Sequence, residues 1–177
     1  ALRFVQEYVH RTSTSVIAAR SRFSVGLDVL SATNNSGPLP DGQFFSWLGQ
    51  VQSVRRFDDW WGMQLLGQMS LQLANDRLFP LEQIPVGGRF SVRGYRENTL
   101  IRENAFLASV ESRFPLISFA TGEPLVQFAQ FVDLGRAWNA KGVTPDAQTL
   151  AAVGLGLRWN ILPHDRARFE LYWGLPL

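Results

Sequence analysis

Residues 60–74 read Trp60-Trp61-Gly62-Met63-Gln64-Leu65-Leu66-Gly67-Gln68-Met69-Ser70-Leu71-Gln72-Leu73-Ala74. Trp61, Met63, Leu65, Gly67, Met69, Leu71 and Leu73 alternate with Gly62, Gln64, Leu66, Gln68, Ser70 and Gln72. Period 2 puts successive side chains on opposite faces of a strand. One face of this run is apolar and the other is polar. The run is far longer than the roughly 5–6 residues usual in a globular sheet. It suits a tilted strand crossing a bilayer, which needs about 9–11 residues, with some length to spare outside.

The same alternation recurs. In the stretch from Ser15 to Val29, Ile17, Ala19, Phe23, Val25, Leu27 and Val29 share one face, and Arg20, Arg22, Ser24, Gly26 and Asp28 share the other. The pattern gives about eight strands, at 1–11, 14–30, 43–57, 59–75, 103–115, 124–138, 149–161 and 166–175. Expected outer faces carry Phe106, Ala108, Val110 and Phe114, then Val126, Phe128, Val132, Leu134 and Trp138, then Val153, Leu155, Leu157, Trp159 and Ile161, and last Phe169, Leu171 and Trp173. Expected inner faces carry Glu111, Arg113, Asp133, Arg158, Arg168 and Glu170, whose opposite charges can pair across strands.

Composition agrees. The 177 residues suffice for one domain; 46% are hydrophobic but only 18% charged, below the roughly 25% of a soluble domain. No apolar run reaches the roughly 18 residues of a membrane helix. A transmembrane β-barrel reconciles these values, because its alternating strands average out in hydropathy. The competing architecture is a soluble β-sandwich with one wet face. The net charge of +2 is too small to indicate nucleic acid. The absence of Cys removes disulfides, thiol catalysis and cysteine metal sites. Trp47, Trp60, Trp61, Trp138, Trp159 and Trp173 fall near strand ends or on outer faces, as interfacial girdles require.

Connections alternate in length. Arg11–Thr14, Phe57–Trp60 and Pro163–Arg166 are tight, whereas Ser31–Gly42, Asn75–Arg102 and Asn139–Gln148 are long and rich in Gly, Pro and Asn. Outer-membrane barrels place short turns on the periplasmic side and long loops outside. Pro115–Pro124 breaks the rhythm as a longer connection on the short side.

The loop containing Pro85–Arg102, P-V-G-G-R-F-S-V-R-G-Y-R-E-N-T-L-I-R, crowds arginines around glycines without apolar periodicity. In a barrel it can fold into the polar lumen if Arg93 finds a carboxylate there. F-V-D-L-G (Phe131–Gly135) offers Asp133 on an inner face. A guanidinium fork meets a carboxylate at two points, so such a pair would fix orientation as well as distance. Gly94 would allow a tight turn against the wall, and Tyr95 would add an aromatic contact. The residues leave a second arrangement open, with Arg93 in water and Asp133 paired to a neighbour such as Arg158.

V-G-G-R-F-S-V-R-G-Y-R-E-N resembles the V-R-G-Y/F loop motif of the barrel superfamily that includes BamA-type assembly factors and the TpsB transporters of two-partner secretion. F-V-D-L-G is similar to that superfamily's second barrel motif, and Pro80–Gly88 resembles the TpsB branch. The resemblance implies a sixteen-stranded barrel in the outer membrane of a Gram-negative bacterium. Val92, Arg93, Gly94 and Tyr95 would form a loop latch with its tip in the lumen, held by the wall motif Phe131, Asp133 and Gly135. The chain would be the C-terminal barrel part over residues 1–177, corresponding to the eighth to fifteenth strands. The final strand, the early strands and the POTRA domains would lie outside it. The implied activity is secretion of a large haemolysin or adhesin type exoprotein, with BamA/TamA-like insertion of other barrels as the second reading. Expected partners are that exoprotein and outer-membrane lipid and lipopolysaccharide, around a monomeric barrel without cofactor, metal or enzymatic activity.

Other candidates have plainer explanations. His10 and His164 lack a third ligand at metal spacing. Asp58 and Asp59 suit a turn. Ser112 and Ser118 have no histidine in reach of a triad pattern. Gly154 and Gly156 are expected as small lumen-side residues leaving room for the docked loop. Arg55–Arg56 and Arg166–Arg168 sit at expected periplasmic ends, where solvation or lipid phosphates would meet them.

Overall fold

The structure is a computed structural model and describes residues 1–27, 39–40, 42–145, 148–162 and 167–177. Parts of two expected strands (28–30 and Arg166), most of Ser31–Gly42, and the Pro163–Arg166 turn with His164 lie outside the described residues.

Each long alternating run forms one strand. β1 (Leu2–Arg11), β2 (Ser15–Val25), β3 (Phe45–Phe57) and β4 (Met63–Ala74) are followed by two short strands, β5 (Ile84–Val86) and β6 (Leu100–Arg102). β7 (Asn104–Ser118), β8 (Pro124–Trp138), β9 (Thr149–Leu162) and β10 (Ala167–Pro176) complete the series. The eight long strands make one antiparallel sheet in the order β1-β2-β3-β4-β7-β8-β9-β10. β5 and β6 pair with each other as a separate hairpin.

Register fixes the faces. Gln68 of β4 stands opposite Ser109, Ser109 opposite Asp133, and Asp133 opposite Ala152. These residues share the inner face with Glu111, Arg113, Arg158 and Tyr172. The outer face carries Phe4, Ile17, Val51, Met69, Val110, Val132, Leu155, Leu157, Phe169 and Leu171, all exposed. Among the described residues no second sheet covers this apolar surface. A soluble protein rarely exposes so large a patch, so the sandwich is excluded and the outer face is the lipid face of a barrel wall.

The turns refine three expectations. Trp60 and Trp61 do not begin a strand: Asp58–Trp60 form a short 3₁₀ turn, Trp61 takes a left-handed φ of 52°, and Asp58 accepts a hydrogen bond from Arg56. Trp61 is 88% exposed, which suits an interfacial anchor. The expected Pro115–Pro124 connection is shorter than it reads, because β7 continues to Ser118 with register shifts after Pro115 and Ile117. Proline lacks a ladder donor and is tolerated at such an irregularity. The Asn75–Arg102 loop contains a hairpin, β5–β6, where Arg-rich sequence gives no periodic signal.

Candidate functional site

The loop between β4 and β7 is anchored at its base before it reaches the wall. Gln72 donates from Nε2 to the carbonyls of Glu82 and Glu103, both at 2.9 Å. Gln83 donates to Leu78 O at 3.1 Å and to Glu103 Oε1 at 3.0 Å. Arg3 on β1 pairs with Glu82 at 2.5 Å. In the segment joining β5 to β6, Gly87 and Gly88 take φ values of 106° and 101°, a region that favours glycine. Ser91 Oγ accepts from Gly87 N at 2.8 Å, and Glu97 Oε1 accepts from Arg89 N at 2.9 Å. The chain is thus a preformed knuckle with Arg93 at its wall side.

Arg93 meets β8 as a fork. Its Nε donates to Asp133 Oδ2 and its Nη2 to Asp133 Oδ1, each at 2.8 Å, while its backbone N donates to Oδ2 at 3.0 Å. Nη1 pairs with Glu111 Oε2 on β7. Ser109 Oγ donates to Asp133 Oδ1 at 2.7 Å. The guanidinium lies 3.5 Å from the Phe131 ring centroid and 5.2 Å from that of Tyr172, so it is stacked as well as paired. Tyr172 donates to Glu111 Oε1 at 3.0 Å, and Arg113 donates to the same oxygen at 2.6 Å. The Asp133 side chain is 0% exposed.

Apolar contact accompanies the charges. Val86, Val92 and Leu100 of the loop pack with Ala105, Ala137, Leu150 and Ala152 of the wall, with Tyr95 alongside. Burying a Val or Leu side chain contributes about 1.5–3 kcal/mol, whereas a buried ion pair roughly breaks even against its desolvation. Affinity of loop for wall therefore comes mainly from the valines and leucine, and orientation from Arg93.

Small wall residues make the approach possible. A Cβ on Gly135 would stand 2.5 Å from Val86 Cγ1 and 2.8 Å from Val92 Cγ2. Gly94, at φ 92°, meets Gly174 backbone to backbone: a Cβ on Gly174 would lie 2.8 Å from Gly94 N. Tyr95 Oη lies 3.2 Å from the carbonyl oxygens of both Ala151 and Leu177.

The structure brings Val92, Arg93, Gly94 and Tyr95 of the loop together with Phe131, Asp133 and Gly135 of the wall. Arg158 does not pair with Asp133; it donates to Glu170 at 3.0 Å. Val92 is fully buried as an anchor rather than set at a tip. Gly154 and Gly156 leave room for the Phe131 and Tyr172 rings on which Arg93 stacks, while Gly135 and Gly174 accommodate the loop itself. Sequence reasoning missed Glu111, Ser109 and Tyr172 as members of the cluster, and Arg89, which pairs with Glu170 at 2.7 Å. The alternation had already put Glu111 and Glu170 on the inner face with Arg113, but a two-residue spacing cannot say which cation crosses to them.

The family model for haemolysin secretion/activation proteins ShlB/FhaC/HecB matches residues 2–159. The chain belongs to this family. Family members are outer-membrane β-barrel transporters of Gram-negative bacteria, and the exposed apolar face is the part of this chain that the outer membrane covers. Among solved structures the fold is similar to CdiB from Escherichia coli, with 24% identity and a TM-score of 0.71. That match covers 96% of this chain and 31% of CdiB, so the chain spans about a third of that relative's length. No curated protein sequence matches the chain.

Proposed function

We propose that the protein containing this chain secretes a large exoprotein, of haemolysin or adhesin type, through its barrel by two-partner secretion, and that the Asn75–Arg102 loop is its resting plug. Membership of the ShlB/FhaC/HecB family supports the transport reading. The observation that carries the plug is the seating of Arg93 between Asp133 and Glu111, over the Phe131 ring. The mechanism is conformational and uses no covalent chemistry. The latched knuckle occupies the inner wall at rest. An incoming unfolded substrate, able to pair with strand edges, displaces it and threads outward.

The test is Arg93→Ala in the full-length transporter. Removing one partner of a buried pair costs about 3–5 kcal/mol, because it leaves Asp133 uncompensated. Secretion should fall, and the loop should become open to added protease. Secretion at the original level, with the loop still protected, would overturn the latch. Reversing both charges (Arg93→Asp with Asp133→Arg) separates pairing from position; Glu111 would then face the newly introduced loop carboxylate, so only partial rescue is expected.

A further inference from the structure

Below the latch, at the end of the wall nearest the short turns, the inner face holds a second polar feature that no residue of the Asn75–Arg102 loop lines. It is a cavity of about 300 Å³, within the usual size range of ligand sites. Gln64, Arg113, Gln127, Arg158, Asn160 and Arg168 line it, from five different strands. Phe119 and Glu123 of the β7–β8 turn also line it.

Its charges are unevenly shared. Arg113 pairs with Glu111 at 2.6 Å, and Arg158 and Arg168 pair with Glu170 at 3.0 and 3.3 Å. Both carboxylates are also held by the loop, Glu111 by Arg93 and Glu170 by Arg89. Three guanidiniums therefore divide two carboxylates that two further arginines already engage. Of the charged residues that line the cavity itself, three are arginines and one, Glu123, is acidic. A guanidinium carries five N–H donors, so the lining is rich in donors.

One acceptor points the other way. Asn160 is 7% exposed and donates from Nδ2 to Pro124 O at 2.8 Å. Its Oδ1 is buried with no hydrogen-bond partner among the described residues. A buried acceptor left unpaired costs about 1–3 kcal/mol, so an occupant supplying an N–H would gain there. A carboxylate answers the arginines and a backbone N–H answers Asn160. An extended peptide bearing Asp or Glu presents both at once, whereas a phosphate answers the arginines but carries no N–H for Asn160.

We propose that this cavity is a docking subsite for an acidic stretch of extended polypeptide entering from the periplasmic side. The proposal rests on the secretion reading, since the secreted chain is the polypeptide that would pass there. No residue of the Asn75–Arg102 loop lines the cavity.

The experiment uses the full-length transporter in detergent and two fluorescent peptides, one alternating Asp with Ser and one with every Asp replaced by Asn. Wild type should bind the acidic peptide at least about tenfold more tightly, the equivalent of about 1.4 kcal/mol. Arg158→Gln and Arg168→Gln should each weaken it several-fold, and Asn160→Asp should weaken it by repulsion, all with the loop still protected from protease. Arg168 is partly exposed, so its variant tests the idea even if Arg158→Gln fails to fold. Equal binding of the two peptides, or unchanged binding in both arginine variants, overturns the proposal. Inorganic phosphate that displaces the peptide, with a matching loss in both arginine variants and none in Asn160→Asp, reassigns the cavity to simple anions and also overturns it. Arg93→Ala should release the loop and, by freeing Glu111 and Glu170 from the loop arginines, weaken peptide binding by less than either Arg158→Gln or Arg168→Gln; those two variants lose peptide with the loop still protected, so the latch and the subsite fail separately.

Discussion

The inner faces of β8–β9 and β2–β3 belong to one sheet and follow one alternation, yet they are built for different neighbours. On β8 and β9 every inner residue from Gln127 to Ala137 and from Leu150 to Asn160 is buried. On β2 and β3 most inner residues are partly or fully exposed, including Arg20, Gln52, Val54 and Arg56. The covered half is inlaid with Ala129, Gly135, Ala137, Ala152, Gly154 and Gly156, while the open half carries Arg20, Arg22, Leu48, Gln50 and Gln52. Small side chains leave a recess about one side chain deep, which the loop fills. Long polar side chains need water instead, and they fill their own space. Seating a loop in a barrel thus takes both a carboxylate and an absence of bulk around it.

That contrast can be broken most severely at Gly135. Gly135→Val puts atoms where Val86 and Val92 now lie. Losing burial of both should cost docking about 3–6 kcal/mol, at 1.5–3 kcal/mol each. Limited proteolysis of the full-length protein should then cut the Asn75–Arg102 loop while the strands stay intact; a loop still resistant would mean the recess is wider than the packing indicates. A milder change is Glu111→Gln. Asp133 keeps its two-point grip on Arg93, so the loss should be about 2 kcal/mol, the scale of one hydrogen bond to a charged group. The same assay on Arg20→Gln supplies the control from the open half, since its partner Glu7 is 3.4 Å away and largely in water.

The smallest effect lies outside the wall. Lys141 in the β8–β9 loop contacts Asp76 beside β4 at 2.5 Å, and this hydrogen bond holds the Asp76 carboxyl below its ordinary 3.8. A depressed carboxylate contributes stability above its unfolded value and loses it as pH falls through the lowered one. The clasp should therefore persist at neutral pH and fail only below about 3.8. Difference infrared titration against Asp76→Asn reads this directly, and a midpoint at or above 3.8 would remove the clasp from the description.

Much of this was legible in the chain. Alternation in Trp60–Ala74 and its counterparts gave the strands, their faces and the lipid side, because period 2 follows from backbone geometry alone. Arg93 and Asp133 stood out because an arginine in a glycine-bearing loop and an acid on a polar strand face each need a partner. The short hairpin β5–β6 was not legible, since three-residue strands carry too little pattern to rise above turn composition. The continuation of β7 past Pro115 was hidden for the opposite reason: proline reads as a stop, and here it sits at a register irregularity.

The amino-acid order by itself determined a membrane-crossing antiparallel wall with charges turned inward, because burial on each face is a local property of every second residue. Only the tertiary structure decided which charges meet. Asp133 could face Arg93 or Arg158, and the choice fell to Arg93 because Val86, Val92 and Leu100 bury themselves against alanines and Gly135 and so carry the guanidinium to β8. Glu170 meanwhile engages Arg158 from the next strand. Pairings across forty residues depend on register and on the shape of the recess, and neither is written at any single position.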